Sequence, residues 1–205
     1  MDELELLKKD WQKEDNAYPK LSYNDIYKMI LKKSSSIVKW IFIISLLEFS
    51  FGILLLLINP EFESEAIVPD WIDTMTYIML PIIIYFIYRF YKNYKNISVT
   101  DNIKTLINNI LNTRKTVKYY IIFNLVFAGI ASMSTFFAGY TEASGVTLSE
   151  LNASANFGKL SIIILTALAV TIFILGIIYG IYYLLYGILL KRLNNNYKEL
   201  KRMEV

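Results

Sequence analysis

The apolar positions of this chain gather into long runs, and the polar ones into short patterned stretches between them. Val38–Ile58 reads VKWIFIISLLEFSFGILLLLI, with Glu48 as the single charge after Lys39. A helix rises about 1.5 Å per residue, so this run matches the roughly 30 Å hydrocarbon core of a bilayer. Three similar runs follow, at 72–90 with Pro81 inside it, at 119–140 and at 160–190. The last is longer than one crossing needs, so it is expected to tilt or to continue as a helix beyond the membrane. The pattern predicts an all-α integral membrane protein with four transmembrane helices.

The intervening stretches carry helical periodicity of their own. In Met1–Asp15, Leu4, Leu7 and Trp11 make a narrow apolar stripe. Pro19 breaks the chain. Ser22 with Asp25 three residues on resembles a capping box, and Tyr23, Ile26, Tyr27 and Ile30 form a second stripe running toward Ser34–Ser36 and the first span. Between the second and third spans, Thr100 or Asp101 is expected to cap an amphipathic helix over about 100–116. Its Ile103, Leu106, Ile107, Ile110 and Leu111 follow the i, i+3, i+4, i+7, i+8 pattern. These helices are predicted to pack together as a small cytoplasmic cluster. The chain then divides into N-terminal helices at 1–37, a transmembrane domain at 38–190 and a tail at 191–205.

Charge sets the expected orientation. Lys28, Lys32, Lys33 and Lys39 precede the first span, while Glu61, Glu63, Glu65, Asp70 and Asp73 follow it. Arg89 stands at the end of the second span, Lys92, Lys95, Lys104, Arg114, Lys115 and Lys118 lie between the second and third spans, and Lys191, Arg192, Lys198, Lys201 and Arg202 follow the fourth. By the positive-inside rule both termini are expected to be cytoplasmic. Composition adds exclusions. The chain has no His and no Cys, which argues against zinc, non-haem iron and thiolate chemistry, and no cofactor is expected. A net charge of +3 gives no field that would select nucleic acid. The 16 tyrosines accompany many Lys, Asn and Ile, as A- and T-rich codons would enrich, so they are not read as a binding signature. The first apolar run begins too late for a signal peptide.

Glu48 is the sharpest candidate, an acid near the middle of a span. Ser45 and Gly52 share its face, so that face is expected to look into the bundle. One reading is a proton or cation site. The other is a protonated carboxyl that bonds a neighbour such as Asn124 or Thr135 on the third span, favoured because no Lys or Arg lies at that depth. Gly176 and Gly180 form a GxxxG, continued by Ala169 and Gly187 at seven-residue steps. This stripe fits close packing within the chain or a homodimer seam. The basic central segment could meet anionic lipid, although membrane topology already accounts for its charge.

The stretches LELLKKDWQKED and YPKLSYNDIYKMILKKSSSIVKWIFIISLLEF resemble an uncharacterised Bacteroidetes-type group of four-span inner-membrane proteins. Some of these carry a carotenoid-oxygenase label. Such oxygenases hold iron through four histidines, which this chain lacks, so the label does not transfer. The group also resembles membrane anti-sigma factors, which grip a sigma factor with short cytoplasmic helices. That resemblance implies a zinc-free regulator here. The expected function is therefore a membrane-anchored interaction or regulatory protein, not an enzyme. Its partners would be the lipid bilayer and a cytoplasmic protein or a second copy, with Leu4, Leu7, Trp11, Ile26 and Ile30 on the binding side. The alternative is a small transporter or channel subunit centred on Glu48.

Overall fold

The computed structural model describes residues 22–58, 70–98, 102–145 and 157–203. All secondary structure in these residues is helical: α1 (Tyr23–Ile58), α2 (Asp70–Ser98), α3 (Ile103–Ser144), α4 (Phe157–Tyr182), a π-helical turn (Tyr183–Gly187) and α5 (Ile188–Met203). Three stretches, Tyr23–Leu55, Ile103–Ser144 and Gly158–Met203, are long and apolar enough to cross a membrane. The stripe at Leu4, Leu7 and Trp11 and the acids Glu61, Glu63 and Glu65 lie outside the described residues.

Local chemistry explains the helix ends. Ser22 and Asp25 form the reciprocal capping arrangement. The Asp25 amide donates to Ser22 Oγ at 3.2 Å, and the Ser22 amide donates to Asp25 Oδ2 at 3.1 Å. The cap of α3 differs from the expectation of Thr100 or Asp101. Asn102 takes that place, its Oδ1 accepting from the Lys104 amide at 2.9 Å. At the other end Gly145 adopts φ 64° and its amide reaches Glu142 O at 3.2 Å, a left-handed cap suited to glycine.

The helices are more continuous than the hydrophobic pattern suggests. The amphipathic helix near 100–116 and the third span are one 42-residue helix, about 63 Å long at the α-helical rise. The joining residues, TRKTVKYYII, contain no glycine or proline to stop it. The fourth span likewise runs on into α5, and no helix boundary falls at residue 190. Pro81 lies inside α2 without ending it.

Packing is concentrated at the lysine-rich end. Along the bundle α1 meets α2 and α5, and α3 meets α2, α4 and α5. Ile30, Val38, Ile97, Leu106, Ile110, Leu193 and Leu200 form one buried cluster drawn from all four strokes of the chain. Two buried polar pairs fasten its flanks: Asn196 Nδ2 donates to Ser34 Oγ at 3.0 Å, and Asn93 Nδ2 to Thr116 Oγ1 at 3.2 Å. Toward the opposite end the surfaces of α1 and α4 are strongly apolar and open, including Phe51, Leu57, Leu165 and Phe173. In lipid such faces need no cover, because lipid tails are as apolar as leucine.

Small residues make one close interhelical approach. A Cβ at Gly129 of α3 would stand 3.5 Å from Leu175 of α4, and Ser132 Oγ lies 3.4 Å from Thr171 Oγ1. A Cβ at Gly176 or at Gly180 would have nothing within 4 Å. Gly187 is tight for a local reason. A Cβ there would come within 2.9 Å of the Tyr183 ring, so its bareness makes room for a side chain of its own π turn.

Candidate functional site

Glu48 faces inward on α1, one turn after Ser45, which is nearly inaccessible and donates to Phe42 O at 2.8 Å. The hydroxyl of Tyr182, the last residue of α4, lies 2.6 Å from Glu48 Oε1. The hydroxyl of Tyr186, in the π turn, lies 3.0 Å from Oε2. Each oxygen of the acid therefore has its own phenol partner. Two donating phenols satisfy a carboxylate, and if the acid is protonated one of the two bonds runs the other way, because phenol oxygen also accepts.

An aromatic cluster holds the two phenols in place. Tyr120 of α3 meets Tyr182 edge-on at 6.2 Å and Tyr186 at 6.0 Å between ring centroids. On its other side it packs against Phe86 at 5.4 Å and Phe90 at 5.5 Å, both from α2. Edge-to-face geometry of this kind adds about 0.5–1.5 kcal/mol per pair beyond area burial. Tyr120 and Tyr186 are almost wholly buried, with Ile41 and Val117 in the same cluster. All four strokes of the chain thus converge around one carboxyl group. The π turn falls between the two phenols, and such turns are often found at functional sites.

A partly open cavity of about 370 Å³ borders the acid. Glu48, Tyr120 and Asn124 supply its polar wall, and Gly52, Met79 and Ile83 contribute to the apolar remainder. Asn124 shares this cavity with Glu48, but its Nδ2 donates to Tyr120 O at 2.9 Å, one turn back on its own helix. The expected bond to Asn124 or Thr135 is therefore replaced by two bonds to the fourth stroke of the chain. Among the described residues no group of three or more acidic side chains could hold a metal ion.

The apolar stripe at the start of α1 divides. Ile30 is 3% exposed and belongs to the buried cluster, so it is not an open contact residue, while Ile26 is exposed. Gly176 is exposed beside Ile172 and Phe173, and a Cβ there would have nothing within 4 Å.

Tyr182 and Tyr186 were missed because aromatic residues in an apolar run read as filling. A depth comparison would have found them. Glu48 stands nine residues after Lys39 on the way into the membrane, and Tyr182 stands nine residues before Lys191 on the way out. Two antiparallel helices aligned by their basic ends therefore place these side chains at one level.

No curated protein and no solved structure matches the chain. A family model, the domain of unknown function DUF8845, matches residues 24–205, from the second residue of α1 to the C-terminus. The chain belongs to that family of unknown function.

Proposed function

We propose that this protein is a four-span protein of the bacterial inner membrane whose cytoplasmic helical cluster binds a protein partner, in the manner of a membrane-anchored regulator. The observation that carries this reading is the divided stripe of α1. Ile30 turns into the cluster, while Tyr23, Ile26 and Met29 remain 52%, 39% and 45% exposed among Lys28, Lys32 and Lys33. Bilayer lipid accounts for open apolar side chains deeper along α1, but a lysine-rich segment ahead of the apolar run lies in water, where such a patch marks an interaction surface. In this topology α2 is the second crossing, and the convergence of basic residues at one end of the bundle supports a cytoplasmic placement of that end.

Two measurements test the reading. Reporter fusions after Glu65, Thr105, Ser149 and the C-terminus are expected to report outside, inside, outside and inside in turn. A cytoplasmic signal at Glu65 would overturn the four-span topology. Affinity capture should compare the parent protein with a double variant, Ile26→Asp with Met29→Asp, which leaves the buried Ile30 in place. The variant is expected to lose the parent's specific partner. An unchanged set of captured proteins would remove the motivation for a binding surface on α1.

A second reading is favoured by the cavity beside Glu48. An acid held by two phenols next to a partly open space could pass a proton or bind a small cation, as in a transporter or channel subunit.

A further inference from the structure

A cavity of about 910 Å³ lies between α3 and the α4–α5 stroke, apart from Glu48. Its lining is graded in one direction. At one end it carries Arg114, Lys115 and Lys118 from α3 and Lys191 from α5. At the other end it carries Ile121, Ile122 and Leu125 from α3 with Tyr179 from α4. The grading arises because the two strokes run antiparallel. Residues 114 to 125 of α3 pass from basic to apolar, and residues 191 back to 179 do the same. The apolar wall from Lys118 to Leu125 is about 10 Å long at the α-helical rise. Among the described residues no carboxylate lines the cavity.

We propose that this groove binds one anionic phospholipid, with its phosphate headgroup among Arg114, Lys115, Lys118 and Lys191 and an acyl chain along Ile121, Ile122 and Leu125. Membrane topology explains why basic residues collect at this end of the helices. It does not explain a concave site that joins four cations and an aliphatic wall. Charge complementarity selects the anionic headgroup, and the direction of the grading selects an amphiphile whose tail points toward the bilayer. A free phosphate would use the cations and leave the aliphatic wall unfilled. The inference rests on α3 and α4 lying in a bilayer and is independent of whether α1 binds a protein.

The test uses the full chain reconstituted in nanodiscs that contain equal amounts of phosphatidylglycerol and phosphatidylcholine. Retained lipid is then read by native mass spectrometry after release into detergent. The parent protein is expected to retain phosphatidylglycerol in preference to phosphatidylcholine. Replacing Lys115, Lys118 and Lys191 together by glutamine should weaken that retention roughly tenfold or more, since it removes three of the four cations that meet the headgroup. A control replacing Lys28, Lys32 and Lys33 by glutamine removes the same charge outside the groove and should leave retention unchanged. Equal losses from both triple variants, or no preference for the anionic lipid, would overturn the proposal. Full displacement of the lipid by millimolar inorganic phosphate would overturn it in favour of a soluble anion. Failure of the parent protein to enter nanodiscs would instead count against the membrane placement on which the proposal rests.

Discussion

Replacing Glu48 by leucine is expected to destabilise the protein in detergent by about 1–3 kcal/mol, and replacing it by glutamine by well under that. The difference follows from the two phenols. Leucine leaves the hydroxyls of Tyr182 and Tyr186, now 2.6 and 3.0 Å from the acid, without that partner, and interhelical bonds of this kind are worth about 0.6–2 kcal/mol each. Glutamine preserves both contacts. Its carbonyl oxygen accepts from one phenol, and its amide nitrogen donates to the other. Tyr186→Phe should reproduce about half of the leucine effect. Its combination with Glu48→Leu should be less than additive, because the two substitutions remove one shared bond. Thermal unfolding in a single detergent measures all four variants. If glutamine is as destabilising as leucine, the hydrogen-bonding account fails. Growth complementation with the same variants separates the two functional readings. A structural clasp predicts that Glu48→Gln supports growth. Loss of function in a stably folded Glu48→Gln protein would move the proton or cation site to first place.

A comparable effect is expected from Leu106→Ala. Leu106 is fully buried in the cluster that also contains Ile30, Ile97, Ile110, Leu193 and Leu200. Truncating such a leucine removes transfer free energy and leaves a cavity, a loss of about 2–5 kcal/mol. Leu165 of α4, by contrast, is 65% exposed on an open apolar face. Leu165→Ala should therefore change stability by less than about 1 kcal/mol, since lipid fills the space left by the side chain. Hydrogen exchange offers a second readout. Leu106→Ala should raise exchange in α5 and the early turns of α1 and α3, while the apolar spans stay protected. A shift below about 1 kcal/mol for Leu106→Ala would mean that the lysine-rich end lacks a packed core, and with it the rigid platform that a binding surface on α1 needs.

What could be read from the sequence was local. The apolar runs predict helices of membrane length because backbone polar groups in lipid must be satisfied within the segment itself. Ser22 and Asp25 announce a helix start because both partners of the cap lie within three residues. The stripe of Ile103, Leu106, Ile107 and Ile110 marks an inward face because helical periodicity is a property of the segment. The same local view identified Glu48 as the costly residue and placed its face toward the bundle.

What needed the tertiary structure was which side chains meet. Asn124 was a reasonable partner for Glu48 by chemistry, but it bonds its own helix at Tyr120 O. The acid is met instead by Tyr182 and Tyr186, more than 130 positions away in sequence. Hydropathy marks a tyrosine in an apolar run and says nothing of where its hydroxyl points. Gly176 and Gly180 have the spacing of a packing motif, yet Gly129 makes the closer approach, because helix rotation decides which small residue meets a neighbour. Ile26 and Ile30 read alike as one stripe, and only the positions of α3 and α5 send Ile30 inward and leave Ile26 open. The sequence by itself determined the helices, their apolar lengths and the segregation of charge, since these depend on neighbours within a few turns. The tertiary structure decided the carboxyl–phenol clasp, the graded basic groove and the buried cluster, since each depends on the relative depth and rotation of helices far apart in the chain.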